Sequence, residues 1–333
     1  MPGSVGGMIR LHRLFALFAG WALGVAGAMA QPGFFDRGGP PPGDNYVRTE
    51  GSGWVNENTL RTARETVSHS TGTPTWTNPE GFEPDVFTFA RIIFPSNPNQ
   101  MEGSGGFGGF GGWRRGRQLG WWVDYPDADL NLSYRLQQMT SLKVDPDARV
   151  IKLNNPELFH FPFIFMEHPG YMELRDEETS ALRKYLLNGG SMMITDFWGQ
   201  REWLGFESQM KRILPGRSWV ELTLDHPVFH CVYEVKGPMS RLQVPTIQFW
   251  NRDHNPNDPN SHLQRVDRGE GHETMHVRAW LDDRQRIMAI ATLNSDVSDG
   301  WERESENEDY FKTFAEPVSY PLAINIIFYL MTH

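Results

Sequence analysis

Residues 161–199 restrict the fold of this chain more than any other stretch; they read FPFIFMEHPGYMELRDEETSALRKYLLNGGSMMITDFWG. The apolar run 161–166 is too brief for a helix, and Pro162 suits the first residue of a strand. Glu167-His168-Pro169-Gly170 is a turn cluster. A helix follows. Asp176 is its expected N-cap, and Glu177 and Glu178 place negative charge in the first turn, where the helix dipole favours it. Leu182, Tyr185 and Leu186 share one face, and Gly189 suits the position just past the end. Residues 191–197, SMMITDF, are apolar without alternation, the pattern of a strand buried on both faces of a parallel sheet. The unit is strand–helix–strand, with an expected right-handed crossover.

In such sheets ligands sit beyond the carboxyl ends of the strands. Two loops therefore become candidate sites: Glu167-His168-Pro169-Gly170-Tyr171 and Asp196-Phe197-Trp198-Gly199. The competing reading is structural: Glu167 or Asp196 caps a following helix, and His168 hydrogen-bonds a loop.

Residues 1–30 have the make-up of a secretory signal. Arg10 and Arg13 form a basic start, 14–27 are apolar, and Ala28-Met29-Ala30 fits the small-residue cleavage rule. Export to the periplasm or the medium is expected, with no membrane span after cleavage. The net charge is −10, and loss of the two arginines leaves 29 basic against 41 acidic residues. That balance excludes a nucleic-acid partner, because phosphate contacts need a basic face. The one cysteine, Cys231, excludes an internal disulfide and is expected as a small buried residue. The twelve tryptophans suit sugar stacking or a large core, and the core is the expected use.

Residues 31–45 are a Pro/Gly-rich linker to a single α/β domain over 46–333. A short surface helix is expected over 56–68 and a strand over 86–94. Residues 100–120 are Gly-rich. They contain a literal G-x-G-x-x-G at 103–108, but no strand leads directly into it, so a loop is expected rather than a nucleotide site. Asp124, Asp127 and Asp129 precede and open a helix carrying Leu132, Leu136 and Met139. Asp129 is expected to cap it, and Arg135 to pair with these acids. Three nearby acids also suit a hard cation, although the spacing is no EF-hand. A short strand follows at 150–153, a helix carrying Trp203, Phe206, Met210 and Ile213 stops at Pro215-Gly216, and 219–224 reads as strand. His226 and His230 stand four apart, but Pro227 disfavours the helix that would let them share a metal. His272-Glu273-Thr274-Met275-His276 is a literal H-E-x-x-H. Its surroundings alternate with period two and turn at 282–285, which predicts a β-hairpin over 274–293 and not a zinc helix. Residues four apart on a strand lie about 13 Å apart. Asp296 and Asp299 fall in the next loop, where solvated turn acids are expected, with Asp296 as a site candidate. Pro321 opens an apolar helix over 322–331, too short to span a bilayer.

Five segments in order resemble a known family: WWVDYPDADLNLSYRLQQMTSL, FMEHPGYMELRDEETSALRKYLLNGGSMMITDFWG, LDHPVFH, NSDVSDGWERE and AINIIFYLM. Together they resemble the domain-of-unknown-function 4159 family over about 86–331. That family is related to the class I glutamine-amidotransferase-like fold. The resemblance implies a three-layer, flavodoxin-like sandwich with a mostly parallel sheet and an added hairpin. Amidotransferases of that fold carry a nucleophilic cysteine at a strand-to-helix elbow. Phe197 stands at the matching position, so glutamine hydrolysis by that route is excluded.

These readings converge on an exported, non-catalytic domain that binds a small polar ligand or a cell-envelope protein, with no cofactor and no metal. The candidate residues are Glu167, His168, Asp196, Trp198, Asp124, Asp129, Arg135, His226 and Asp296. The alternative is a hydrolase, glycan-directed among other choices, using Glu167, Asp196 or Asp296; glycoside chemistry needs two carboxyls about 5–10 Å apart. A zinc hydrolase on His272 and His276 is the remote alternative.

Overall fold

Apolar runs with no alternation need both faces covered, and the two central strands meet that need. The structure, a computed structural model, describes residues 41, 43, 45–49, 53–70, 72–81, 85–97, 120–258 and 260–333. The signal-like segment, almost all of the linker, and the Gly-rich run up to residue 119 lie outside the described residues. The strands in chain order are β1 (Tyr46–Thr49), β2 (Gly53–Asn56), β3 (Val86–Phe87), β4 (Ala90–Ile93), β5 (Lys143–Val144), β6 (Arg149–Lys152), β7 (Phe163–Glu167), β8 (Ser191–Thr195), β9 (Trp219–Glu221), β10 (His276–Leu281) and β11 (Ile287–Leu293). The helices are α1 (Asp127–Met139), α2 (Asp176–Leu187), α3 (Gly199–Ile213), the short α4 (Asp299–Glu302) and α5 (Glu308–Tyr310), and α6 (Tyr320–Thr332).

Among the described residues, seven strands form one sheet in the order β6-β4-β7-β8-β11-β10-β9. β6, β4, β7, β8 and β11 run parallel. β10 is antiparallel to both of its neighbours and forms the expected hairpin with β11. Every residue of β7, β8 and β11 is buried. α2 packs against β8 and β11, and α6 against β7 and β8. The chain is therefore α/β with a mostly parallel sheet. Burying one core side chain such as Phe165 contributes about 2–3 kcal/mol.

The strand–helix–strand unit lies where expected, with shifted edges. β7 begins at Phe163 and keeps Glu167 as its last residue, and β8 stops at Thr195. α2 does start at Asp176, but its N-cap is Arg175, whose N–H donates to Glu178 Oε2 at 2.9 Å. Gly189 follows the helix at φ +105°, a conformation favourable only to glycine.

Other expectations change. Residues 56–68 hold only a short 3-10 turn at Ala63–Glu65, because Arg64 turns inward to the carbonyls of Pro146, Thr73 and Pro74. The strand expected over 86–94 is split into β3 and β4. Met139 is 42 % exposed, so only Leu132 and Leu136 of that face enter the core. Cys231 is exposed rather than buried, and its thiol donates to the Asn325 carbonyl oxygen. Pro321 does stand in the first turn of α6, but the helix is not short. A π-helical segment at Phe311–Ser319 runs directly into α6, so Glu308–Thr332 is long and apolar enough to cross a membrane. Of its most apolar window 67 % is buried within the fold, the packing expected of a core helix.

Candidate functional site

Three parallel strands end in the same backbone step. His168 after β7, Asp196 after β8 and Asn294 after β11 have φ of +50°, +50° and +63°, and Asp124 before α1 has +59°. Non-glycine residues rarely adopt this left-handed conformation, and His, Asp and Asn tolerate it best. The step turns each loop across the end of its neighbour. His168 N–H donates to the Thr195 carbonyl oxygen at 3.1 Å, Asp196 N–H to that of Ser295 at 3.2 Å, and Asn294 N–H to that of Phe197 at 2.9 Å. The Asn294 side chain accepts from Gly199 N–H and donates to the carbonyls of Gly271 and Thr274. A Cβ on Gly199 would lie 2.6 Å from the Arg268 carbonyl oxygen, so only glycine lets α3 start beneath that loop.

These turns gather carboxylates. Oxygens of Glu167, Asp196 and Asp296 lie within 4.8 Å of one another, and so do oxygens of Asp124, Asp296 and Asp299. Asp296 belongs to both triads. None of the five residues is more than 6 % exposed. Ser298 Oγ donates to Glu167 Oε1 at 2.9 Å, and the other Glu167 oxygen, Oε2, has no hydrogen-bond partner. Asp296 accepts from Thr246 Oγ1 and from Asp299 N–H. Asp196 accepts from Trp198 Nε1 at 2.8 Å and sits 3.0 Å from His168 Nδ1, while His168 Nε2 has no hydrogen-bond partner.

Like charges at this spacing cannot all ionise in a dry interior. Burial, reinforced by Asp124 and Asp196, holds the Glu167 carboxyl well above the usual carboxylate range, and Arg91 opposes it. Burial and then Asp196, Asp124, Asp299 and Glu167 do the same to Asp296. Burial and Glu302 raise Asp299 against the pull of Arg303. Asp196 is the exception. Burial would raise it too, but the His168 hydrogen bond, Arg268 and Trp198 hold it below the ordinary value.

Two buried ion pairs flank this centre. Arg91, fully buried on β4, grips Asp129 through Nε at 2.8 Å and donates to the carbonyls of Trp121 and Val123, fixing the loop that carries Asp124. His69 lies 2.7 Å from both Asp127 and Glu302. Burial opposes its charge, but these two acids prevail and hold its pKa at about 10. Glu302 is raised to about 7, chiefly by burial and Asp124.

The candidate residues sort plainly against this geometry. Glu167, His168, Asp196, Trp198, Asp124 and Asp296 come together. Neither Glu167 nor Asp196 caps a helix; the N-cap of α3 is Trp198. Asp129 caps nothing either, because Arg91 draws it inward. Arg135 pairs with Glu304 rather than with the α1 acids. His226 accepts from Val228 N–H inside its own turn, and His230 contacts the Leu224 carbonyl, as packed histidines do. His272 meets the Gly269 carbonyl and His276 meets Glu221, so the H-E-x-x-H residues face different partners. Phe197, at the elbow position, is buried against Trp203 and Phe206. Trp198 is 1 % exposed, with its edge bonded to Asp196 and its face under Arg268, so it offers no platform for a sugar. Glu302, His69, Ser298 and Asn294 escaped the sequence reading; Asp299 was expected as a solvated turn acid and is buried instead. The signal available for Asn294 and Asp299 was an Asn/Asp/Ser run directly after a strand.

The model of a family, the domain of unknown function DUF4159, matches residues 114–331. The match spans more than half of the chain, and the chain belongs to that family. No curated protein matches it.

Proposed function

We propose that this member of the family is an exported binding domain that captures a small polar ligand at the carboxyl edge of its sheet. The observation that carries the reading is the convergence of Asp124, Glu167, Asp196, Asp296 and Asp299 from separate loops into one buried centre. A core has no structural use for five mutually repelling carboxylates, whereas a site for a cationic or hydrogen-bond-donating ligand does. The placement beyond the strand ends supports it as well. So does the finer assignment to a flavodoxin-like, amidotransferase-related sandwich, for which the parallel core and the strand-to-helix elbow at Phe197 speak. The signal-like residues 1–30 support export.

A hydrolase is the second reading. The His168–Asp196 pair, with Nε2 left over, has the arrangement of an oriented general base. Against it, His168 is 1 % exposed.

The test is thermal unfolding of the chain against a panel of amines, amino acids, sugars and inorganic cations. A ligand at a hundred times its dissociation constant adds about 2.7 kcal/mol, or several degrees. The reading requires such a shift to vanish in Asp296→Asn. A panel in which nothing shifts the wild type, or in which every shift survives the substitution, ends it.

A further inference from the structure

We infer that the ligand of the acid centre is a hard divalent cation, held by Glu167, Asp196 and Asp296, with Asp124 and Asp299 completing the oxygen shell. This rests on the binding-domain reading above and narrows it to one ligand class.

Three observations lead there. The first is shape. Each triad offers oxygens within 4.8 Å of one another, and two oxygens across a calcium ion at about 2.3–2.6 Å are separated by no more than that order. Asp296 stands in both triads, as a carboxylate does when it joins the two halves of one oxygen cage. The second is the unpartnered atom. Glu167 is fully buried, its Oε1 is satisfied by Ser298, and its Oε2 has no hydrogen-bond partner. A buried carboxylate oxygen without a partner is costly. Ser298 Oγ also lies 3.4 Å from Asp296 Oδ1, which places the Glu167 head group directly against the shared carboxylate.

The third is the donor set. It consists of oxygens. Both triads are made of carboxylates alone, and neither Cys231, engaged elsewhere, nor His168, whose Nδ1 faces Asp196, belongs to them. Oxygen cages select calcium, magnesium or manganese over softer metals. The protein's own cations do not fill the role. Arg91 is spent on Asp129 and two carbonyls, Arg303 reaches Asp299 and Glu302 from one side, and Arg268 bonds Thr246 and Gln264.

The experiment uses the full chain, freed of metal with a chelator and then titrated with calcium, magnesium or manganese chloride, with sodium chloride as the ionic-strength control. Heat of binding, the unfolding temperature and tryptophan-sensitised terbium emission are read; the buried Trp198, whose Nε1 bonds Asp196, is the donor for a terbium ion in the cage. The proposal expects saturable binding of at least one divalent ion, a rise of several degrees in unfolding temperature, and terbium emission quenched by that ion. Asp296→Asn and Glu167→Gln each weaken binding by more than about tenfold, while Asp283→Asn, on the exposed hairpin turn, leaves it unchanged. If either cage variant fails to fold, the wild-type terbium signal and its displacement still decide. No heat and no shift with any divalent ion overturns the inference, as does binding that Asp296→Asn leaves intact. If an organic amine shifts the wild type through Asp296 while the metals do not, the metal inference falls and the binding-domain reading stands. If neither does, both fall.

Discussion

Nδ1 of His168 lies 3.0 Å from Oδ2 of Asp196 across the ends of two adjacent parallel strands, and both residues hold the same left-handed backbone step. The pair thus ties the β7 loop to the β8 loop at the point where the acid centre is assembled.

Removing the imidazole leaves Asp196 with Trp198 as its one side-chain hydrogen bond. His168→Ala is expected to cost about 2–4 kcal/mol in urea unfolding. Adding Asp196→Asn should return more than about 1 kcal/mol, measured as the coupling energy of a double-mutant cycle. A coupling near zero would mean that the contact is incidental.

Arg91 and Asp129 form the second tie. Arg91→Met strands a buried carboxylate and frees two carbonyls, at an expected cost of about 3–5 kcal/mol. The double variant Arg91→Met/Asp129→Leu should be more stable than Arg91→Met alone, because the uncompensated charge is gone. Chemical unfolding of the three proteins checks the order.

The His69 clamp makes a pH prediction. Its folded pKa is held at about 10 against 6.5 for the free side chain. The folded state therefore keeps its proton more tightly between those values. The stabilisation is complete below pH 6.5 and is lost as pH rises toward 10. Glu302, raised from 4.5 to about 7, acts in the same direction at lower pH: ionising it costs stability as pH rises through 4.5–7. Unfolding free energy should fall by roughly 2–4 kcal/mol from His69 across its window. His69→Gln should flatten the profile between pH 7 and 10, and a profile of unchanged slope would refute the clamp.

The H-E-x-x-H residues should be silent. His276 makes a part-exposed pair with Glu221, and His272 meets a carbonyl. His272→Ala and His276→Ala are each expected to change stability by less than about 1 kcal/mol. Neither should alter ligand binding, measured by the same titrations as the wild type.

The strand–helix–strand core was legible because apolar runs, first-turn acids and a glycine stop are local signals. The placement of Glu167, His168, Asp196 and Trp198 followed from topology alone, since strand ends of a parallel sheet share an edge. Asp296 was recognised as a candidate, yet it and Asp299 read locally as solvated turn acids. Nothing near them in the chain reveals that Thr246 and Val244, from a distant segment, close over the loop. Asp129 read as a cap for the same reason: its partner, Arg91, lies 38 residues away on β4. Arg135 was misassigned because Glu304, its partner, is 169 residues distant. Long-range pairing of charges carries no periodic trace, whereas strand and helix burial does.

The measurement that tests the account most directly is urea unfolding of the wild type and Asp296→Asn at pH 7 in the presence of a chelator. Asparagine keeps an acceptor for the Asp299 N–H, and the Thr246 hydroxyl can reverse its role toward the amide. It also removes one ionisable group from the five crowded carboxyls. If the centre is built for a ligand at the expense of stability, the variant is more stable by about 1 kcal/mol or more and no longer gains from the ligand. A variant less stable by about 2 kcal/mol or more under the same conditions would mean that Asp296 is a structural hydrogen-bond hub, and would contradict the account.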